Sequence, residues 1–417
     1  MTINTACLLQ LLVLLSHACR IIIAYESFED WSMSSLGSKI LSYGSSDSEE
    51  RRRKAIYEAN LEKIVVHNNY IESGVGHSPY RLGINQFMDL EDHEVPRGYD
   101  KSLHRPTSMS SATTERRLSL DNESVLSELL PYIQDVKDLP ESVDWRFAAT
   151  PVKDQGGCGS CWAFASVAAL ESHLYLNEGL LFSLSVQEVV SCAPNVKQCG
   201  GQGGCTGATS VQAYDYLKKV GVVQEWSFGY ASYHGELVEC SLVPQSNRKT
   251  GDDGVNLVKG AVATIDGFVT LPPNNYTVMM NAVAKLGPIV VSVAASGWSF
   301  YAGGVFHRNF TTSNDSDINH AVVLMGYGTD EETGEDYWLI RNSWSPRWGE
   351  EGYIRLFRED PATSSSDQCA MDVTPGDGDA CRYDDNGTRI DPLPGQKICG
   401  TSGVYYMGYI PIGVKVV

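Results

Sequence analysis

Positive charge is scarce in this sequence. The 417 residues include 32 Lys and Arg against 51 Asp and Glu, which gives a formal net charge of −19 at pH 7. So acidic a chain argues against nucleic acid as a partner and suits a protein of an acidic compartment. The sequence also lacks a long apolar run after its N-terminal segment, so we expect no stable membrane anchor. The length allows two ordinary cores, or one large domain and an extension.

The N-terminal segment has no Lys or Arg before its apolar block. Residues 6–15 read ACLLQLLVLL, and the small-residue pattern of Ser16 to Ala18 that follows is typical of a secretory signal. The missing basic residues are atypical, and the isoleucines at 21–23 prolong the apolar stretch, so an uncleaved signal anchor is the alternative. We expect residues 1–24 to be removed, and the chain to travel through the secretory pathway to a lysosome, a vacuole or the cell exterior.

The cysteine count fits an oxidising route. Of eleven cysteines, Cys7 and Cys19 leave with the signal, and one free thiol among the other nine leaves eight that can pair fully. Sequons for N-glycosylation occur at Asn122, Asn275, Asn309, Asn314 and Asn386.

A glycine-rich turn runs directly into an apolar helical sequence at residues 155–164, QGGCGSCWAF. Cys161 starts the three-and-four spacing of one helix face, so we expect it in the first turn of a helix. The unpaired amides and the dipole of a helix N-terminus favour an anion there, so this thiol should ionise readily. Cys158 lies before the helix and is better interpreted as half of a disulfide. A structural or redox CxxC is the alternative, but no second CxxC and no Cys/His pair at zinc spacing follows.

The segment around Cys161 resembles the nucleophile motif C-G-S-C-W of the papain family of cysteine proteases. Residues 83–89, GINQFMD, resemble the G-x-N-x-F-x-D motif of cathepsin L-like propeptides. The interspersed E-R-F-N-I-N pattern of the same propeptides, with Tyr in the Phe position, is matched by Glu49, Arg53, Tyr57, Asn60, Ile64 and Asn68.

The resemblance implies a zymogen. Residues 25–138 would be a small helical inhibitory prodomain with a polar linker, whose tail crosses the active-site cleft in the reverse direction. Residues 139–417 would be the protease domain. From residue 262 onward the pattern changes to short β-rich runs, and helices followed by strands predict an α+β fold. By the resemblance this is a papain-like two-lobe catalytic domain, with a helical lobe, a β-barrel-like lobe and a peptide-binding cleft between them.

A cysteine nucleophile needs a base, and histidine has a suitable pKa. The protease region offers four histidines, of which one stands at the start of a predicted strand in a setting similar to the family's histidine; they are His173, His234, His307 and His320. The favoured one is His320. It should form a thiolate–imidazolium pair with Cys161.

Two further side chains complete the expected catalytic set by resemblance. Asn342 resembles the residue that orients the imidazole, and Trp344 would cover the bond between them. Gln155 resembles the oxyanion-hole glutamine, which acts together with the backbone amide of Cys161.

The glycine-rich residues 199–208 are not a phosphate loop, because no strand precedes them and no Lys-Ser/Thr follows. Their glycines would let the backbone approach a peptide. The resemblance implies a substrate cleft lined by Gly207, Ala208, Thr209, Ser210, Ser292, Ala321, Trp344 and Val404. The pocket for the second residue before the cut would contain Thr209, Ser210, Ser292, Ala321 and Val404. None is charged, so we expect Leu, Val or Phe to be preferred there.

The resemblance also pairs Cys158 with Cys205 and Cys192 with Cys240. The remaining cysteines allow three connectivities, among which the sequence does not choose; they are Cys199, Cys369, Cys381 and Cys399. Residues 359–397 are acidic and rich in Gly, Ser and Pro, so we expect a solvated loop tied by disulfides. Ser345 stands where the family usually has glycine after the tryptophan, which leaves the geometry of that loop open.

The expected function is that of a cysteine endopeptidase, made as a zymogen and activated at acid pH, because carboxylates that hold the prodomain lose charge as pH falls. We expect no cofactor and no metal, a monomer, and protein or peptide substrates, with the propeptide as inhibitor. The alternatives are a non-catalytic scaffold protein, and a redox or zinc protein built on Cys158 and Cys161. Such scaffold proteins usually lose the nucleophile or the base, whereas this chain keeps both.

Overall fold

The computed structural model describes residues 27–34, 37, 46–72, 80–98, 122–242, 244–250, 255–307, 316–361 and 369–417. The predicted signal segment and the sequons at Asn309 and Asn314 lie outside these residues. The helices are α1 Phe28–Met33, α2 Asp47–Glu72, α3 Asn122–Leu129, α4 Cys161–Glu178, α5 Val186–Cys192, α6 Ser210–Val220 and α7 Tyr276–Lys285.

The strands are β1 Tyr80–Leu82, β2 Val143–Asp144, β3 Pro244–Thr250, β4 Val255–Val258, β5 Ala263–Thr264, β6 Gly267–Thr270, β7 Ile289–Val293, β8 Tyr301–Phe306, β9 His320–Thr329, β10 Asp336–Arg341, β11 Tyr353–Phe357, β12 Cys369–Asp372, β13 Gln396–Cys399, β14 Gly408–Ile412 and β15 Lys415–Val416. By its contacts the chain divides into two units. The first is Met1–Val95 with Gly297–Gly304, and the second is Pro96–Ser296 with Val305–Val417.

The first unit is built on α2, whose start carries acidic side chains that suit the positive end of the helix dipole. Its apolar stripe buries Tyr57 and Ile64 in a cluster that also contains Trp31 and Met88. Two of the motif asparagines lie on the same side of the helix and are buried as well. One helix therefore carries all six positions of the E-R-F-N-I-N pattern.

The buried asparagines of α2 bond to the backbone of β1 and of the segment that follows it. Asn60 Nδ2 donates to the carbonyl oxygens of Met88 and Leu90, both at 3.0 Å. Asn68 bonds to both backbone groups of Leu82, donating at 2.9 Å and accepting at 3.1 Å. Because a buried amide left without partners is costly, each asparagine fixes one register between the two propeptide motifs.

A second contact of this unit joins the propeptide motif to residues 297–304. Strand β1 pairs antiparallel with the first part of β8, with Tyr80 opposite Gly304. Asn85 Nδ2 then donates to the carbonyl oxygen of Ser299 at 2.6 Å. The asparagine of the G-x-N-x-F-x-D motif therefore extends the ladder by a side-chain hydrogen bond.

The second unit is organised around α4. Almost every side chain from Cys161 to Leu174 is buried, whereas the sequence had predicted one apolar face. A helix that is apolar on all sides lies inside its core. Gly179 ends it in the left-handed conformation, with φ 71°, which a residue without Cβ adopts without strain.

The strand-rich part of this unit is an antiparallel sheet in the order β11-β10-β9-β7-β14-β6, with β2 paired to β9. Its register places Ser292 opposite Ala321 and Val293 opposite His320. Helices α4 to α6 precede most of the strands, as the sequence predicted, whereas β2 comes before α4 and α7 lies between β6 and β7. Helix α4 packs against β9. That contact positions the site, because α4 begins at Cys161 and β9 begins at His320.

Four disulfides lie in this unit, and Cys161 is a free thiol. The bonded pairs are Cys158–Cys205, Cys192–Cys240, Cys199–Cys381 and Cys369–Cys399. The last two select one of the three connectivities that the sequence left open. They also change the picture of residues 359–397, since the described part contains β12, which pairs with β13, and buries Asp372.

Candidate active site

Cys161 is the first residue of α4, and its thiol lies against the start of β9. The backbone amide of Ala321 donates to Cys161 Sγ at 3.2 Å, and the thiol is fully buried. Ala321 directly follows His320, so the helix start and the strand start bring the predicted nucleophile and the predicted base to one place.

His320 is oriented by the adjacent strand. Its Nε2 lies 2.8 Å from Asn342 Oδ1, and the amide of Ser343 also donates to that oxygen at 2.8 Å. An atom that accepts from a backbone N–H is the carbonyl oxygen of the side chain, so Nε2 is the protonated nitrogen. In the neutral ring the lone pair is then on Nδ1, the nitrogen that could accept a proton from a thiol.

Two tryptophans shield this bond. The Trp344 ring stacks on the His320 ring with centroids 4.8 Å apart and planes 24° from parallel. Trp348 meets Trp344 edge to face at 5.1 Å, and both indoles are fully buried. Water is therefore kept from the His320–Asn342 bond, which strengthens it electrostatically.

Both polar atoms of the Gln155 side-chain amide form hydrogen bonds. Its Oε1 accepts from Ser343 Oγ at 2.6 Å, which leaves Nε2 as the donor. That Nε2 donates to the carbonyl oxygen of Cys158 at 3.0 Å and lies 3.5 Å from that of Arg97. The sequence analysis assigned no role to Ser343. Its position directly after Asn342 was a signal, because a residue next to a site residue in the chain also lies near the site.

The chain at residues 96–98 lies on the Cys161 thiol. Gly98 donates its amide to the carbonyl oxygen of Asn319 at 3.1 Å, and the carbonyl oxygen of Pro96 accepts from Trp344 Nε1 at 2.9 Å. A Cβ added to Gly98 would stand 2.3 Å from Cys161 Sγ. Only glycine fits this position without a shift, so upstream chain fills the site.

Burial sets the charge state of this closed site. It raises the pKa of the Cys161 thiol to about 12, although the amides of Ala321 and Trp162 oppose it. It lowers the pKa of His320 to about 3, although the hydrogen bond to Asn342 opposes it. With residues 96–98 in place, both groups are therefore neutral, and the charged pair expected from the sequence is absent from this arrangement.

The predicted cleft residues fall into groups. Gly207 touches the closing segment, since a Cβ on it would stand 1.9 Å from the carbonyl oxygen of Gly98. Ser292 and Ala321 face each other across β7 and β9. The remaining members are buried in their own elements, and their membership of one pocket stays a prediction; they are Ala208, Thr209, Ser210 and Val404.

Two of the other histidines, and Ser345, have structural environments of their own. His173 is buried in α4 and bonds to the carbonyl oxygen of Pro288 at 2.8 Å. His307 stacks on Phe357. Ser345 adopts φ 77°, a left-handed conformation that favours glycine, so the loop keeps the turn that a glycine would allow.

Comparison with known proteins identifies the family. Residues 139–374 match the papain family cysteine proteases, and residues 28–95 match the cathepsin propeptide inhibitor domain. The chain belongs to the papain family of cysteine proteases. It is 33% identical to cathepsin L1 of Drosophila melanogaster over 379 residues, which cover 89% of this chain and 90% of the relative.

Other relatives agree with this membership of the papain family. Cathepsin L of Sarcophaga peregrina is 35% identical over 333 residues, which cover 78% of this chain and 85% of that protein. Among solved structures, digestive procathepsin L 3 of the Tenebrio molitor larval midgut is similar, with a TM-score of 0.60 and 28% identity over 92% of this chain and 98% of that one.

The protein is therefore a cathepsin L-like cysteine endopeptidase in zymogen form, with an α+β papain-like fold and a propeptide inhibitor domain. Its substrates are peptides, and its own propeptide is an inhibitor. None of the helices in the described ranges is long and apolar enough to span a bilayer.

Proposed function

We propose that Cys161 is the nucleophile of this endopeptidase, His320 its base, Asn342 the residue that orients the base, and Gln155 an oxyanion-hole donor. One observation carries the assignment: the Cys161 thiol accepts a hydrogen bond from the backbone amide of Ala321, the residue after His320, and the His320 ring is hydrogen-bonded to Asn342. Gln155 joins them because its amide and Asn342 are both fixed through Ser343.

In the first half of the reaction, His320 Nδ1 takes the thiol proton and the Cys161 thiolate attacks the carbonyl carbon of the scissile peptide bond. The oxyanion that forms accepts hydrogen bonds from Gln155 Nε2 and the Cys161 amide. The imidazolium then gives its proton to the leaving amine, and the C–N bond breaks to leave a thioester. In the second half, His320 takes a proton from water, the hydroxide displaces the thiolate, and the carboxylic product departs.

Removal of residues 96–98 is the step that permits ionisation. Their departure lets water reach Cys161 and His320, so the desolvation that keeps both groups neutral is reduced. The helix N-terminus and the mutual attraction of the two charges then favour the thiolate–imidazolium pair. The same groups are thus neutral in the closed zymogen and charged in the processed enzyme.

Acid pH would loosen the prodomain through Glu94. Burial acts to raise the pKa of Glu94, but hydrogen bonds from Arg53, from the Glu91 amide and from Arg52 outweigh it and hold that pKa below its usual 4.5. A carboxylate with a lowered pKa stabilises the fold above the unfolded pKa, and that stabilisation is lost as pH falls through the folded value. Asp89 acts in the opposite sense, because burial raises its pKa to about 6 against the attraction of Arg53.

The remaining parts of the assignment follow the resemblance. Residues 1–24 would be the signal, residues 25–138 the removed propeptide with its linker, and residues 139–417 the mature enzyme, acting as a monomer. The secretory pathway would deliver it to a lysosome, a vacuole or the cell exterior, which suits a chain with four disulfides. A preference for Leu, Val or Phe two residues before the cut would follow from the uncharged pocket.

The test of the catalytic set is labelling of the acid-processed protein with an epoxide that alkylates papain-like cysteines. We expect one label per chain and hydrolysis of fluorogenic peptides, both lost in Cys161→Ser. The matched control is Ser191→Ala, which removes a hydroxyl from α5 outside the site and should keep both properties. Labelling that persists in Cys161→Ser would refute the assignment, as would peptide hydrolysis that persists in His320→Ala.

A further inference from the structure

Tyr230 lies in the loop after α6, and its hydroxyl reaches the glycine-rich turn that leads into α4. It donates to the carbonyl oxygen of Gln155 at 2.8 Å, and it lies 2.9 Å from Ser160 Oγ. Gln155 begins this turn, and Ser160 ends it directly before Cys161. One hydroxyl group therefore joins the two ends of the segment from which both proposed oxyanion donors extend.

The direction of both hydrogen bonds follows from the atoms involved. A carbonyl oxygen only accepts, so the single hydroxyl proton of Tyr230 goes to Gln155. The Tyr230 oxygen then accepts the proton of Ser160, whose other acceptor, the carbonyl oxygen of Cys158, is farther away at 3.4 Å. Burial raises the pKa of Tyr230, so its oxygen keeps the proton at acid and neutral pH. Ser160, Tyr230 and Gln155 thus form a chain of hydrogen bonds in which each bond polarises the next.

Ser160 is the N-cap residue of α4, but its hydroxyl does not cap the helix. A serine at this position ordinarily accepts from an amide of the first turn. In the part of the chain that the structure describes, its side chain forms no such bond, and the Ala163 amide donates instead to its carbonyl oxygen at 2.9 Å. The hydroxyl is therefore available to Tyr230. Because the peptide group between Ser160 and Cys161 carries the Cys161 amide, the position of Ser160 sets the direction of that donor.

Tyr230 is itself fixed by three contacts. Its ring meets the Phe164 ring of α4 edge to face, with centroids 4.8 Å apart. Its amide accepts no strain from the loop, because it donates to Glu225 Oε1 at 3.0 Å. The amide of the next residue, Ala231, donates to Oε1 of the buried Gln187 in α5 at 2.7 Å. A side chain whose own position is fixed by packing and hydrogen bonds can hold the groups of a site in place.

We propose that Tyr230 is a positioning residue of the oxyanion hole. Through its bonds to Gln155 and Ser160 it sets the distance between the two donors, the Gln155 side-chain amide and the Cys161 backbone amide. This role rests on the proposed function, in which those two groups stabilise the oxyanion. Such donors contribute most when they are fixed before the charge develops, and a displacement of about 1 Å lowers the rate about 10²-fold.

The first test is Tyr230→Phe in the acid-processed enzyme, which removes the hydroxyl and keeps the ring on Phe164. For fluorogenic peptides we expect kcat to be about tenfold lower and KM to stay within about twofold of wild type, since the donors act on the transition state more than on the bound substrate. Concentrations of active enzyme are set by epoxide titration to completion, so a loss of folded protein does not imitate a loss of kcat.

The matched control is Tyr214→Phe, which makes the same chemical change in α6. The Tyr214 hydroxyl is buried and has no hydrogen-bond partner among the described residues, so its removal should leave kcat unchanged. An unchanged kcat in Tyr230→Phe would overturn the proposal, as would an equal loss in both variants.

A second readout separates positioning from a general loss of structure. Iodoacetamide alkylates the Cys161 thiolate by forming an S–C bond as the C–I bond breaks, and no oxyanion develops in that step. The alkylation rate of Tyr230→Phe, and its dependence on pH, should therefore match those of wild type while kcat falls. A parallel fall of both rates would overturn the proposal, because the thiol itself would then have been disturbed.

Ser160→Ala removes the other end of the hydrogen-bond chain. It should lower kcat less than Tyr230→Phe does, because the bond from Tyr230 to Gln155 remains. In the double variant the loss should be about that of Tyr230→Phe alone, since both changes break the same chain. Losses that simply multiply would contradict the proposal, because the two hydroxyls would then act separately.

Failure of the proposed function looks different from failure of this role. In that case epoxide labelling would persist in Cys161→Ser, or Gln155→Ala would keep the wild-type kcat. If Gln155→Ala lowers kcat and Tyr230→Phe does not, the oxyanion hole stands and only the role of Tyr230 is refuted.

Discussion

Replacing Gly98 by alanine should loosen the closed site of the zymogen. The new Cβ would stand 2.3 Å from Cys161 Sγ, where ordinary contacts begin at 3.4 Å, so the chain or the sulfur has to move by about 1 Å. The same movement stretches the hydrogen bonds from Gly98 to Asn319 and from Trp344 to Pro96. Gly98 is not in the left-handed region, so the effect is steric.

The size of the effect follows from the contact. An extra methyl in a packed interior costs about 1–3 kcal/mol. If that energy falls on the closed state alone, the open state becomes about 5-fold to 150-fold more populated. The free thiol should then become accessible more often in the intact zymogen.

The assay is the second-order rate of epoxide labelling of Cys161 in intact zymogen at neutral pH, where processing is slow. We expect Gly98→Ala to label at least fivefold faster than wild type. Gly229→Ala is the control, because a Cβ there would meet its nearest neighbour at an ordinary 3.5 Å. A labelling rate for Gly98→Ala that equals or falls below the wild-type rate would refute the idea that this glycine seats the closing segment.

Three other perturbations test separate parts of the structure. Glu94→Gln removes the partner shared by Arg52 and Arg53, so processing should occur at higher pH and the prodomain should lose about 1 kcal/mol, whereas Glu62→Gln on the exposed face of α2 should change neither; the pH dependence of propeptide release on gels decides. Gln155→Ala should lower kcat about 10²- to 10³-fold while Cys161 still reacts with the epoxide, and an unchanged kcat would exclude Gln155 from the oxyanion hole. Cys199→Ser with Cys381→Ser should lower the free energy of unfolding by about 2–5 kcal/mol, measured by denaturant titration without reductant, and an unchanged midpoint would mean that the residues around Cys381 are held by their other contacts.

Patterns within a few neighbouring residues predicted the elements that carry Cys161 and His320. The glycine-rich turn and the apolar spacing after it predicted a helix beginning at Cys161, which is where α4 begins. The strand that begins at His320 was also predicted, and it is β9. Each of these depends on neighbours within a few residues, which is why sequence reasoning reached them.

Contacts between residues far apart in the sequence could not be predicted from such local patterns. The hydrogen bond between Gln155 and Ser343 joins residues 188 positions apart. The position of Ser343 after Asn342 placed it near the site, but it did not identify Gln155 as the partner of its hydroxyl. The partner of Cys199 was equally open, because pairing depends on which loops meet in space. For the same reason residues 359–397 were predicted to be a solvated loop, although the Cys199–Cys381 disulfide joins part of them to the glycine-rich loop.

Latency in this protease results from the covering of the site, because the proposed catalytic groups are already arranged. The bond of His320 to Asn342 is 2.8 Å long, and Gln155 is fixed to Ser343 at 2.6 Å. If the helix N-terminus alone set the thiol pKa, Cys161 would ionise in the zymogen; burial instead raises that pKa to about 12, so desolvation outweighs the helix end. Activation then requires water and substrate to replace residues 96–98, and no rebuilding of the site. A glycine at position 98 serves this arrangement, because a larger side chain would move the sulfur from the place where it must later attack.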